Sequence, residues 1–249
     1  MFILKGVARK ATKEEEMNLI ITSIDSKYKF TIGSVCIEPK VLNTLLIGLN
    51  YRAEEILEML LVGVSLPELR ENDIVDDHTK QSFGFQMRFV NDGLKNLLLY
   101  HLYRDGQIKI RFFENPDVSI DNLVLNENEA KRYIKMHDQL CCLLSSLMHL
   151  TYGMPARSTE IYNLRFKNGS SPRNIYFAFG QIMIITRYNK INDITGRSNS
   201  IARFLPSSLS RMFCIFILVV RPLYLKLVSS VYGEQAFDES RMHLFYSLF

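Results

Sequence analysis

The order of apolar and polar positions divides this chain into a succession of elements. Its most regular stretch is residues 133–150, where Tyr133, Met136, Leu140, Leu143, Leu147 and Leu150 recur every three or four residues. That spacing lines one side of an α-helix and turns it toward a core. Gly153 suits the end of this helix, and Pro155 suits the first position of a next one, where a missing N–H does no harm. Ile161 and Leu164 are the expected buried face of that second helix. Residues 168–172, Asn-Gly-Ser-Ser-Pro, are a turn cluster. Residues 173–177 and 181–187 then predict two strands joined around Phe179-Gly180, and 201–205 predicts a third. Residues 189–199 read as a polar loop. Pro206 to Val220 reads as a helix that Pro222 breaks or kinks.

The first half of the chain is less regular. Thr12 and Glu15 form a capping box that opens a helix through about Ser23. KYKFTIGSVCI, residues 27–37, alternates as a strand does. Residues 41–48 and 52–62 read as helices, with Ile56, Leu57, Leu60 and Leu61 on one side. Residues 71–80 are polar and read as a loop. Residues 91–103 predict a helix stopped near Asp105-Gly106, and QIKIRFF, 107–113, predicts a strand. Residues 113–122 read as a connection. They place the expected boundary between a mainly helical module, 1–120, and a second domain, 121–249. The expected fold class is α+β, predominantly α-helical, with a small antiparallel hairpin.

Composition adds bounds rather than detail. At 249 residues, 47% hydrophobic and 22% charged, the chain falls in the ordinary globular range. Its strongest apolar run, Met212 to Val220, is bounded by Arg211 and Arg221-Pro222 and falls short of the roughly twenty residues of a membrane span. A buried core helix is expected there, and no membrane partner. The apolar patch at Phe2 to Leu4 is too short for a signal-peptide core, and the chain reads as intracellular. Cys36, Cys141, Cys142 and Cys214 lack metal-ligand spacing and read as buried free thiols in a reducing compartment. His137 and His149, twelve apart on the long helix, need no special role. His78 beside Asp76-Asp77 reads as part of a polar loop. There is no Walker loop, GxGxxG or HExxH motif, and no metal or cofactor is expected.

Charge changes the picture more. The net charge of +4 hides an asymmetry. Residues 152–226 carry Arg157, Arg165, Lys167, Arg173, Arg187, Lys190, Arg197, Arg203, Arg211, Arg221 and Lys226 against only Glu160 and Asp193. The flanking segments are both net acidic. A basic block between acidic ones is the footprint of a polyanion-binding surface. Within it, GMPARSTEIYNLR, residues 153–165, puts Arg157 in the first turn of its expected helix. A cation there opposes the helix dipole by a few tenths of a kcal/mol, which Glu160 three residues on can offset. An anion bound at the same place reverses the sign, because free N–H groups and a guanidinium then converge on it.

LTYGMPARSTEIYNLRF resembles the first catalytic box of the tyrosine recombinases, the phage-integrase-like family. The likeness continues through the hairpin, ITRYNK at 185–190 and IARFLP at 201–206, and covers about residues 126–225. It is nearest in pattern to the diverged versions in fungal telomere-linked RecQ-type helicases and subtelomeric helicase proteins. The resemblance implies that Arg157 grips a phosphate, that Lys190 stands where the general acid does, and that Glu160 supports the box. It further implies a DNA-binding set of Arg157, Arg165, Lys167, Arg173, Arg187, Lys190, Arg197 and Arg203. The expected partner is double-stranded DNA, with homo-oligomers on DNA allowed for, and the expected location is the nucleus.

The departures from the family pattern limit the chemistry. The family's second box, His or Lys followed three residues later by Arg, has no counterpart at His243, and Tyr246 lies at the wrong spacing for the nucleophile. The sequence therefore reads as a truncated relative of a mobile or subtelomeric element, binding DNA without strand cleavage. The alternatives are a strand-transfer enzyme completed by another chain and a protein-interaction scaffold without a nucleic-acid role.

Overall fold

The structure, a computed structural model, describes residues 21–24, 27–32, 35–94, 96–153, 160–161, 163–188, 199–234 and 245. Side chains are described from residue 38 onward within these ranges, apart from those at 92, 187, 188 and 199. The chain forms two compact units, Met1–Arg52 and Ala53–Phe249. Residues on both sides of position 120 thus share one unit, and the compact division lies well before the expected one.

In the first unit β1 (Ile21–Ile24), β2 (Lys27–Ile32) and β3 (Val35–Ile37) pair as an antiparallel meander. Ile21 stands opposite Phe30, and Phe30 opposite Ile37. The expected strand over 27–37 is two strands. The expected helix through Ser23 is corrected at its end, where 21–23 are strand; its start lies outside the described residues. Helix α1 (Pro39–Leu60) then runs unbroken through both expected helices.

The second unit holds the helical core. The C-terminal half of α1 buries Ala53, Ile56, Leu57 and Leu60. The segment 71–80 contains a short strand, β4 (Ile74–Val75), paired with β5 (Arg88–Phe89). Helices α2 (Leu97–Arg104) and α3 (Gly106–Phe112) follow. The second of these corrects the strand expected at 107–113. Asp105 accepts hydrogen bonds from the N–H groups of Gln107 and Ile108, a helix N-cap that alternation could not reveal. Ile108 and Phe112, four apart, are buried, while Ile110 is left exposed.

Helix α4 (Glu127–Thr151) is the long helix expected, capped by Asn126. Its buried face is rotated from the expected stripe. Ala130, Tyr133, Ile134, His137, Leu140, Cys141, Leu144, Leu147 and Met148 point inward, whereas Leu150 is exposed. The Tyr133 hydroxyl donates to the Leu60 carbonyl, satisfying an acceptor that the end of α1 leaves open. Gly153, at φ 91, follows the end of α4, where the expected stop falls.

Strands β6 (Ile175–Ala178), β7 (Gln181–Tyr188) and β8 (Asn199–Phe204) form the expected hairpin with its third strand. Phe179 and Gly180 both have positive φ, 55° and 72°, the two-residue geometry that matches strand twist. The alternation of β7 buries Ile182, Ile184 and Thr186.

The last helical run is continuous over 26 residues, Ser207–Tyr232. It comprises α5 (Ser207–Ile215), a π-helical segment (Phe216–Val220) and α6 (Arg221–Tyr232). Pro222 therefore does not end the helix. It lacks the N–H that would bond Leu218, and its ring would crowd that carbonyl. The π segment directly before it, closed by Arg221 N–H to the Phe216 carbonyl, takes up the misfit. By length and composition this run could cross a membrane, but 78% of its apolar window is buried within the fold, as in a core helix. Phe213, Phe216, Val220, Leu223 and Leu227 are among its buried side chains, each stabilising by about 1.5–3 kcal/mol.

Ser210 joins this helix to the sheet. Its hydroxyl donates to the Leu205 carbonyl at 3.1 Å and accepts from the Ile182 N–H at 3.0 Å. Ser210→Ala should leave a buried amide without its acceptor and cost about 1–3 kcal/mol. Urea unfolding measures this, and a change under 0.5 kcal/mol would mean the two bonds are replaceable.

Candidate functional site

The basic block is built around the β6–β8 sheet, and its cations meet different fates. Arg173, just before β6, is only 3% exposed. Its guanidinium is ion-paired with Asp76 at 2.6 Å, donates to the Asp77 carbonyl at 3.3 Å, and lies over the rings of Phe85 and Tyr176. Asp76 also accepts from the Phe177 N–H at 2.8 Å, so one carboxylate holds both the arginine and strand β6. Beside it the His78 ring nitrogen donates to the Phe177 carbonyl at 2.9 Å. Asn168 completes the brace. Its side chain accepts from Arg173 N–H and donates to the Lys80 and Ser82 carbonyls. The end of the segment 71–80, expected to be a polar loop, is thus fastened to the sheet by polar contacts through Asp76, Asp77, His78 and Lys80.

Arg203 is also inside, at 6% exposure. The register explains why. Ile175 stands opposite Ile184, and Ile184 opposite Arg203, so the arginine shares the inward face of those two isoleucines. Its guanidinium donates to the Thr186 hydroxyl and lies over the Tyr152 ring. Arg221 is 1% exposed and lies over the Phe166 ring. Arg173 and Arg203 were expected on a solvated DNA-facing surface. The structure corrects both, because one has a buried anion and the other an inward register position.

The remaining expected residues divide as follows. Arg165 is half-buried beside the Ser170 hydroxyl, and Lys167 is half-buried near Gly84. Glu160 is half-buried. Arg187 lies on β7 opposite Ser200. Arg157, Lys190 and Arg197 fall outside the described residues, as do His243 and Tyr246. Lys190 and Arg197 belong to the connection between Tyr188 and Asn199, which pair as the last rung of β7 and β8. Two exposed cations, Arg211 on α5 and Lys226 on α6, complete the block.

A second polar centre lies within the helical core, where no function was expected. The His137 ring stacks on Tyr224 at 3.5 Å between centroids and on Phe216 at 4.9 Å. Its Nδ1 is 3.2 Å from Asp138 and 3.8 Å from the Cys141 sulfur. These three residues offer donor atoms within 4.8 Å of one another. They suit a hydrogen-bonded core better than a metal ion. Burial pushes the Cys141 thiol far up, so it stays protonated, and the Arg221 guanidinium adds positive charge to the same centre. Desolvation lowers the His137 pKa to about 4, only partly opposed by Asp138. The helical spacing of apolar residues concealed this centre, because the stripe it suggests passes beside His137.

No protein-family model matches this chain, and no solved structure matches its fold.

Two expected outcomes follow from these centres. Asp76→Ala leaves the Arg173 charge buried and uncompensated, a cost of about 3–5 kcal/mol, and adding Arg173→Met should recover much of it. A double-mutant cycle by chemical denaturation measures the coupling, and additive single effects would dismiss it. His137 is neutral in the folded state down to about pH 4, whereas an unfolded histidine binds a proton below about 6.5. The unfolded state then holds more protons in that window, so stability should fall as pH drops from 6.5 toward 4, by roughly 3 kcal/mol. His137→Gln should flatten that slope; an unchanged slope would exclude His137 as its source.

Proposed function

We propose that this protein binds duplex DNA through the basic segment 152–226 and does so without cleaving a strand. One observation carries the reading: eleven Lys and Arg against two acids in a single segment, 152–226, which includes a small antiparallel sheet and the helix after it. The buried residues refine it. Arg173, Arg203 and Arg221 serve the fold, so at most eight of the eleven cations are left for a polyanion. Lys190 and Arg197, in the polar sequence between the paired strand ends Tyr188 and Asn199, are the foremost contacts in this reading. The resemblance to tyrosine recombinases supports DNA as the polyanion, with Arg157 and Lys190 on phosphates. The absence of cleavage rests on the family pattern, in which neither His243 nor Tyr246 has the expected spacing.

Binding should weaken steeply with salt, because each neutralised phosphate releases counterions. At most eight cations set a limit of about −7 on the slope of log affinity against log salt, where eleven would allow about −10. Lys190→Ala with Arg197→Ala should reduce that slope, and Arg157→Ala should weaken binding by roughly 1–3 kcal/mol. A nicked suicide duplex should yield no covalent adduct. Salt-independent binding would remove the reading, and an adduct through any tyrosine would replace it with a strand-transfer enzyme.

A further inference from the structure

A groove of ≈ 320 Å³ opens beside the first turn of α5, in the second unit. Two arginines from distant parts of the sequence line it, Arg70 ahead of β4 and Arg211 on the second turn of α5. Both are exposed, and among the described residues neither guanidinium has an ion-pair partner. Ser207 and Ser208 line the same groove at the helix start. The cap position is Pro206, whose side chain accepts nothing, so the first N–H groups of α5 find no side-chain acceptor there. The Ser207 oxygen accepts from the Gln181 side chain at 3.3 Å, which leaves its own O–H to donate.

The inner surface is apolar. Ile74 and Cys214 are buried beneath it, and Leu69 and Phe177 are half-buried at its side. Burial raises the Cys214 pKa to about 12, so the floor carries no negative charge. Glu71 supplies the one acid of the groove, exposed and close against Gly180. Its presence decides between two sources of phosphate. A carboxylate on the rim repels an extended polyanion, whereas a compact ligand can turn a hydroxyl or amino group toward it. The buried floor likewise suits a ligand with a flat apolar body that enters, not a backbone that passes over.

We propose that this groove binds a small phosphomonoester. Its phosphate sits at the α5 N-terminus between Arg70 and Arg211, its apolar or aromatic body lies on Ile74, Leu69 and Phe177, and a donor group faces Glu71. Two guanidiniums and a helix start match the two charges of a phosphomonoester better than the single charge of a phosphodiester. The site shares Arg211 with the basic block but does not depend on the DNA-binding reading.

Calorimetric titration of the full chain with AMP and with phenyl phosphate tests this. Saturable binding of at least one probe is expected, with inorganic phosphate competing. Arg70→Ala and Arg211→Ala should each weaken it roughly tenfold or more, since charge-assisted hydrogen bonds to the phosphate are lost. Both arginines are exposed, so circular dichroism should show the fold retained. Glu71→Gln should tighten inorganic phosphate, because a repelling charge goes. The proposal is overturned if neither probe saturates, or if both arginine variants bind as the parent does. It is equally overturned if the variants lose affinity for a short duplex while the small probes never bind, which would assign the two arginines to a DNA surface.

Discussion

The second unit depends on how one helix carries a proline and a buried arginine through its middle. Residues 207–232 form a single run with Arg221 and Pro222 near its centre. An ordinary α-helix would lose a hydrogen bond and meet a clash at that proline. The π segment at Phe216–Val220 absorbs both, and Phe216 and Tyr224 both stack on the His137 ring from α4. The Arg221 guanidinium lies over the rings of Phe166 and Phe216. Desolvation lowers its pKa, and the field of the Asp138 carboxylate is among those that oppose this. Aromatic faces and a nearby carboxylate thus stand in for the water that the charge gave up. The crossing of α4 and the last helix is a polar junction inside an apolar core, and its geometry is less replaceable than a contact between leucines.

The same logic operates at the edge of the sheet. Asp76, with its side chain fully buried, accepts from β6 and pairs with Arg173, while Asn168 ties the neighbouring loop to both. A buried pair of this kind adds little net stability over apolar packing but penalises every arrangement that separates its members. It therefore fixes which loop lies against which strand.

The elements that were legible in the sequence are those whose signals are local. The Phe179-Gly180 hairpin, the third strand, the long helix over 127–151 and its stop near Gly153 each rest on spacing or turn chemistry within a few residues. So does the predominantly helical α+β class. The misreadings arise where a distant partner or a single cap decides. Asp105 turns an alternating segment into α3. The π segment lets a helix pass a proline that normally stops one. Asp76 lies 97 positions before Arg173, and nothing near either residue announces the pair. His137 lay between the apolar positions of the expected stripe and became part of the buried face only when that stripe rotated. Of the candidate site, the location of the basic block on the hairpin and its flanking helix was readable from the chain order. The inward fate of Arg173, Arg203 and Arg221 was not, because it follows from register and tertiary contact.

That difference bears on how a basic segment should be weighed. A count of cations in sequence measures a potential for binding polyanions only after the buried ones are removed. Here the three removed are the ones most constrained by neighbours, whereas Arg211 and Lys226 stand exposed on the last helical run and Arg165 and Lys167 are half-buried. Buried structural positions and exposed ones are thereby separated among residues of one type. The arginines that the fold needs cannot be released to a ligand without exposing Asp76 or reopening the sheet's inner face. Arg211 and Lys226, exposed on the last helical run, carry no such constraint. A count of cations made before the fold is known therefore overstates the charge that such a segment can offer to a ligand.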